Sequence, residues 1–338
     1  MKISFFDTHH FERPAFEREN EKHHFEICFL EPRLTAATAS LASGSEVVCS
    51  FVNDRVDSQC IQSLKDQGVK LLALRSAGFN HVDIEAANQV GLVVARVPGY
   101  SPHAVAEYAI GLLLSLNRKI HKSYLRVKEL NFSLDGLVGF DLFGKKVGIL
   151  GTGKIGSIVA EILAAFGCEV LCFDRTENAK LQAMPNVRYV ECDHLCKESD
   201  IVSLHMPLTP ETHHILSREM ISMMKPGVFI INTGRGALID SVALIQGLKS
   251  GQVGGAALDV YEEEEAVFFQ DLSDKVLQDD VLARLLTFPN VLVSSHQAFL
   301  TQEALANIAA TTLENVDVFR KSGGVPEERS VKSKSVIR

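Results

Sequence analysis

Lys146-Val147-Gly148-Ile149-Leu150-Gly151-Thr152-Gly153-Lys154-Ile155-Gly156 decides how this chain is read. Residues 147–150 are a short apolar run of the kind that forms a buried strand, and residues 155–166 continue with helical periodicity. Between them Gly151, Gly153 and Gly156 spell G-x-G-x-x-G. The first glycine permits a tight turn, the second lets backbone approach a pyrophosphate, and the third lets helix and strand pack closely. The helix N-terminus that follows presents free N–H groups and a partial positive charge to phosphates. A glycine turn alone is weak evidence, but here the flanks agree. A second strand reads over 169–173 and closes on Asp174, the position of a carboxylate that binds a ribose diol. That carboxylate would repel a 2′-phosphate, so the pattern favours NAD over NADP; Arg175 beside it softens the preference without reversing it.

Downstream, the chain alternates strands and helices, which predicts a parallel sheet with crossover helices. Strands read at 201–204, 228–232, 255–259 and 291–294, with a weaker candidate at 187–190. Unusual residues sit just past their carboxyl ends: His205-Met206-Pro207, Thr233-Gly234-Arg235-Gly236, Asp259 and His296. In an open α/β sheet ligands bind outside the carboxyl ends of the strands. With Gly151 and Asp174, six strand ends then converge on one crevice.

Upstream, runs at 3–6, 47–51, 70–74 and 92–97 read as the buried strands of a smaller α/β unit. Two of its loops, 75–80 and 51–54, follow strand ends and could present N–H groups to an anion. Val97-Pro98-Gly99-Tyr100-Ser101-Pro102 punctuates the chain, with Ser101 placed to cap a helix and Pro102 at its first position. One long apolar helix is expected from 103 to about 127. The expected fold is α/β, two Rossmann-like doubly wound parallel-sheet domains with a cleft between them. The expected domains are 1–100 plus 299–338, discontinuous, and 101–298. A final helix over 301–320 crosses back to the first domain and is stopped by Gly323-Gly324, and the charged tail from Val325 is expected to be flexible.

Composition narrows the function. The 338 residues carry a net charge of −8, which lacks the basic footprint of a nucleic-acid binder. No apolar run has the length of a membrane span, and the apolar start is too short for a signal peptide, so a soluble cytoplasmic protein is expected. The seven cysteines form no secreted framework. Cys192-x-x-x-Cys196 with His194 resembles half a zinc site, but no second ligand pair follows, so these read as ordinary thiols. The doublets His9-His10, His23-His24 and His213-His214 read as polar surface, and no metal is expected. Tyr124-x-x-x-Lys128 has the spacing of another dehydrogenase group's catalytic pair, but it precedes the glycine loop and is set aside as chance.

Three features carry chemistry. Arg235 lies in a glycine-flanked turn, where its planar fork suits bidentate binding of a carboxylate. His296 follows a strand and is a candidate acid/base. Glu262-Glu263-Glu264-Glu265 follows Asp259-Val260-Tyr261, and a carboxylate from this run beside the imidazole would fix its tautomer and favour the imidazolium; the run itself does not say which glutamate. A dinucleotide site, an anion-binding arginine and a His–carboxylate pair together suit hydride transfer to a 2-oxo acid.

Read together, these stretches resemble the D-isomer-specific 2-hydroxyacid dehydrogenases along nearly the whole chain, with the fermentative D-lactate enzymes the most similar branch. The matching stretches are 74–80, 97–102, 151–156, 204–212, 232–236, 258–262 and 295–299. The resemblance implies Arg235, Glu264 and His296 as the catalytic set, and so chooses Glu264 within the acidic run. It implies that Lys154, Ile155, Met206, Pro207, Thr212, Thr233, Gly234 and Asp259 join the three glycines and Asp174 around NAD. It implies that Arg75, Ala77, Gly78, Tyr100 and Phe299 close around the substrate, pyruvate or D-lactate. Apart from the resemblance, Phe51 is a further candidate for the pocket wall. A homo-oligomer, dimer or tetramer, is expected. The same motifs fit a relative acting on a longer or different 2-oxo acid, and the fold also serves NADH-sensing corepressors, which the absent basic surface disfavours.

Overall fold

A computed structural model describes residues 1–332 and divides the chain into two compact units, Met1–Ser101 with Leu300–Arg338, and Pro102–Phe299. In the first, five parallel strands run β1 (Lys2–Phe5), β2 (Glu26–Phe29), β3 (Val47–Ser50), β4 (Leu71–Leu74) and β5 (Val93–Ala95), in the spatial order β2-β1-β3-β4-β5. Central strands β3 and β4, VVCS and LLAL, are buried throughout, as parallel strands covered on both faces must be. The sequence reading missed β2, whose EICF is polar at one end and lies at the sheet edge. The helix Gln302–Ser322 belongs to this unit and packs on β4 and on the helix Arg13–Asn20. Thr301 caps its start by accepting from the Ala304 N–H at 3.2 Å, and Gly323 ends it in the left-handed region at φ 73°.

The expected flexible tail is corrected for its described part. Arg96 N–H donates to Arg329 O, Val331 N–H donates to Val94 O, and Ser330 bridges Ala95 antiparallel, so the tail pairs with the free edge of β5. Pairing satisfies an exposed strand edge and buries Val331, which composition alone does not show. Positions 333–338 lie outside the described residues.

The second unit holds seven parallel strands: β6 (Lys146–Leu150), β7 (Glu169–Phe173), β8 (Val187–Tyr189), β9 (Ile201–Leu204), β10 (Val228–Asn232), β11 (Val253–Leu258) and β12 (Val291–Val293). Their order is β12-β11-β10-β9-β6-β7-β8. The order reverses beside β6, which makes the end of β6 the switch point where α/β sheets bind ligands. Separate apolar cores form in this unit, one including Leu204, Ile230 and Leu258, the other Ile149, Val170 and Ile231. The single long helix expected after Pro102 is two, Pro102–Arg118 and Ile120–Lys128, broken where Lys119 turns left-handed at φ 51°. Neither glycine nor proline marks the break, so periodicity ran through it. Among the described residues no helix is long and apolar enough to cross a membrane.

Candidate active site

Parallel strands bring their carboxyl ends to one edge of the sheet, and this places the site. The glycine loop leaves β6 with Gly151 at φ 93°; a Cβ there would come within 2.8 Å of the His205 carbonyl and the Met206 nitrogen. A Cβ on Gly156 would fall 1.9 Å from Gly151 O, so strand and helix can close only on glycine. Gly153 caps the helix Lys154–Ala165, and a Cβ there would meet nothing within 4 Å, leaving open the approach to the helix N-terminus. Asp174, past β7, accepts from the Thr152 N–H at 2.6 Å and from the Thr176 N–H at 3.1 Å. Oδ2 also accepts from Thr152 Oγ1 at 3.3 Å, and Oδ1 retains a further lone pair for a hydroxyl. Tyr189, which the sequence reading passed over, donates to Thr152 Oγ1 at 2.8 Å and accepts from the Asn178 N–H, bracing the same loop. A tyrosine late in β8 carries no signal for that role.

The loop after β9 buries Met206 against the core and leaves Pro207 exposed, while Thr212 Oγ1 donates to Pro207 O at 2.7 Å and closes the turn. Past β10, Asn232 Nδ2 donates to Arg235 O and Asn232 Oδ1 accepts from the Gly234 N–H, fixing the Thr233–Arg235 turn. Among the described residues, Thr233 Oγ1 and His205 Nδ1 are buried without a protein partner, orphans that a bound polar ligand would satisfy. The glycine cradle, the open helix N-terminus and these orphans fit a dinucleotide.

Three adjacent strands supply the remaining chemistry. His296 follows β12 at φ 53°, a left-handed conformation uncommon outside glycine, and its Nδ1 lies 2.7 Å from Glu264 Oε1. Glu264 Oε2 accepts from the Tyr261 N–H at 3.0 Å, so both carboxylate oxygens are oriented. Nε2 of the imidazole makes no hydrogen bond among the described residues, and Phe269, missed in the sequence, lies against the ring with centroids 6.0 Å apart. Arg235, two strands away, donates through Nη1 to Gly234 O, and among the described residues no carboxylate pairs with its guanidinium. Strands two apart in a sheet are separated by roughly 10 Å, a span that the side chains of Arg235 and His296 can bridge through a small molecule.

Asp259 lies past β11. Its carboxylate is fully buried and accepts from Ser294 Oγ at 2.7 Å, Gln297 N–H at 2.9 Å and Ala298 N–H at 2.9 Å. Its own carbonyl accepts from the His296 N–H at 2.7 Å. It clamps the loop carrying His296, and its Oδ2, which among the described residues accepts only from the Ala298 N–H, keeps a lone pair.

The NAD-binding-domain model of the D-isomer-specific 2-hydroxyacid dehydrogenases matches residues 110–298. The chain belongs to that family. It is an NAD-dependent D-2-hydroxyacid dehydrogenase, similar to 2-hydroxyacid dehydrogenase homolog 1 of Schizosaccharomyces pombe at 51% identity, over 96% of this chain and 98% of that one. It is 48% identical to the D-lactate dehydrogenase of Escherichia coli over 97% and 99% of the two chains. The apo-structure of D-lactate dehydrogenase from that organism superposes with a TM-score of 0.89, at 45% identity, covering 98% of this chain and 100% of that one. The D-lactate dehydrogenase of Aquifex aeolicus complexed with NAD and lactic acid gives 0.86, at 31% identity and the same coverage.

Of the residues the resemblance assigned to substrate in this dehydrogenase, Phe299 closes the second unit and is 9% exposed. The others belong to the first unit. There Arg75 is corrected: its side chain is fully buried and donates to both oxygens of Glu12 at 2.8 and 2.9 Å and to the carbonyls of Phe6 and Asp7. Glu12 lies 63 positions away, and no local pattern links the two. Phe51, read as a pocket wall, is a buried shelf under the Arg75 guanidinium, 4.7 Å from its ring centroid. The Ala77 and Gly78 carbonyls accept from Arg96 Nη1 and Ser76 Oγ, while their N–H groups donate to no protein group among the described residues. Tyr100 O accepts from Asn307 Nδ2 at 2.7 Å, tying residue 100 to the last helix.

Proposed function

We propose that this D-2-hydroxyacid dehydrogenase interconverts pyruvate and D-lactate, with Arg235, Glu264 and His296 as the catalytic set. The observation that carries the reading is the 2.7 Å bond from His296 Nδ1 to Glu264 Oε1, which leaves Nε2 open, at a strand end two strands from a guanidinium that no carboxylate pairs with among the described residues. When bound, NADH supplies the hydride to the carbonyl carbon. Arg235 holds the substrate carboxylate and fixes which face of the carbonyl is presented. His296 Nε2 donates its proton to the carbonyl oxygen during reduction and takes it back from the hydroxyl during oxidation. Glu264 keeps the proton-bearing nitrogen pointed outward and offsets the charge of the imidazolium. Asp174 is assigned to the ribose hydroxyls. The N–H groups of Ala77 and Gly78, which donate to no protein group among the described residues, suit an anion, and Tyr100 and Phe299 are each assigned a substrate contact.

Pyruvate is favoured because the Escherichia coli relative is a D-lactate dehydrogenase; the Schizosaccharomyces pombe relative's name specifies no acid. The test is the decay of NADH absorbance across a panel of straight and branched 2-oxo acids. Pyruvate should give the highest kcat/KM. Preference for a longer acid would transfer the reading to that substrate, and no turnover of any would leave an NADH sensor.

A homo-oligomer is supported by one segment. Ile120, Tyr124 and Leu125 on the helix Ile120–Lys128, then Leu130, Phe132 and Leu134, stand between 55% and 79% exposed, an apolar run that a second copy of the chain would cover. Sedimentation of the wild type against a Leu125→Glu, Phe132→Glu variant tests it; a wild-type monomer removes it.

A further inference from the structure

The doublet His213-His214, which the sequence marked as polar surface, meets Glu262 in space. We propose that His213, His214 and Glu262 form a binding site for a divalent transition-metal ion of the zinc class.

The three donor atoms lie within 4.8 Å of one another, the one such group among the described residues. His214 Nε2 is 2.5 Å from Glu262 Oε1, and the two imidazoles stack with centroids 3.9 Å apart. The second Glu262 oxygen accepts from Ser241 Oγ at 2.9 Å, an outer partner of the kind that aims ligating carboxylates. Backbone sets both histidines: the His213 N–H donates to Thr209 O, and the His214 N–H donates to Ala237 O with His214 at φ 52°. A simple His214–Glu262 pair accounts for one imidazole. It gives no reason for the second to be stacked on it, where two protonated rings would repel.

Two imidazole nitrogens and one carboxylate oxygen are a donor set suited to zinc with a fourth position for water. Bond lengths of 2.0–2.1 Å put tetrahedral donors about 3.3 Å apart. The 2.5 Å pair must therefore open slightly, and the wider separations in the group must close, by side-chain rotation. Coordination through His214 Nε2 needs that nitrogen's lone pair, so a proton on it passes to Nδ1 or to water as the metal–ligand bond forms, and no oxidation state changes. The ion would tie the 207–214 loop to residue 262. That segment is itself pressed on the Arg235 turn, since a Cβ on Gly236 would meet Tyr261 C at 2.1 Å and Glu262 N at 2.3 Å.

The experiment titrates tag-free, full-length protein with Co²⁺ and follows the visible d–d bands of four-coordinate cobalt, then displaces the cobalt with Zn²⁺. One equivalent should bind, and His213→Ala and Glu262→Gln should each weaken binding at least tenfold. His213 is exposed, so its variant should fold normally even if Glu262→Gln does not. The ion should raise the melting temperature of wild type and not of His213→Ala. Unchanged affinity in His213→Ala overturns the site, as does thiolate-to-cobalt absorption, which would put the ion on cysteine. Absence of any cobalt band up to about 1 mM, the weak end of specific binding, overturns it too.

Discussion

Asp259→Asn separates a clamp from a cofactor ligand. Asparagine preserves shape but keeps one acceptor oxygen, so at least one of Ser294 Oγ, Gln297 N–H and Ala298 N–H will face an NH₂ group. A hydrogen bond to a charged group is worth about 1.5–3 kcal/mol, and a buried donor left without a partner costs a similar amount. These donors flank His296, whose own N–H is held by the Asp259 carbonyl. If the loss appears as misplacement of the imidazole, kcat/KM for pyruvate should fall about 10- to 150-fold. NADH affinity should barely change if the carboxylate acts on this loop alone, whereas a direct contact of the cofactor with Oδ2, which accepts only from the Ala298 N–H among the described residues, would show as weakened NADH binding. The assay pairs steady-state kinetics with an NADH titration by fluorescence and a urea unfolding curve. A variant with near-normal kcat but NADH binding weakened tenfold would refute the clamp and restore Asp259 to the cofactor.

Arg235→Lys keeps the charge and loses the fork, so kcat/KM should drop by about 2–4 kcal/mol, or roughly 30- to 1000-fold, with NADH binding little changed; near-normal turnover would put the carboxylate anchor elsewhere. Glu264→Gln removes the negative charge beside the imidazolium, so pyruvate reduction should suffer more than lactate oxidation and its alkaline decline should begin at lower pH; equal losses with an unmoved profile would reduce Glu264 to orienting the ring. Asp174→Ala should weaken NADH and narrow the preference against NADPH, and unchanged discrimination would remove it from the ribose site. Burial lowers His205 to about 4 from the usual 6.5, so the unfolded chain takes up a proton that the folded one refuses. The stability this gives is whole above pH 6.5 and is lost as pH falls through 4. The residue keeps some exposure, so the loss should be about 1–3 kcal/mol, and denaturation curves of His205→Gln should lack it; the same acid slope in the variant would assign it to other groups.

Much of this protein is written locally. The glycine spacing of 151–156, the apolar runs of β6, β7, β9, β10 and β11 and the glycine stop at 323 declare themselves because each depends on neighbours within a turn or a strand. Six unusual residues past six strand ends pointed to one edge, since parallel strands leave their carboxyl ends no other place to go. The edge strand β2 and the break at Lys119 escaped for the opposite reason: neither has a periodic or glycine signal. Partnership was what only the tertiary structure decided. Arg75, assigned to substrate by the resemblance, is held by Glu12 inside the first unit, and Asp259 is tied by three donors from 294–298 to the loop that carries His296. His213, His214 and Glu262 became a cluster only when two loops 48 positions apart came together. A side chain's type and strand position follow from sequence, but whether its hydrogen-bonding groups are already satisfied depends on atoms brought near by folding.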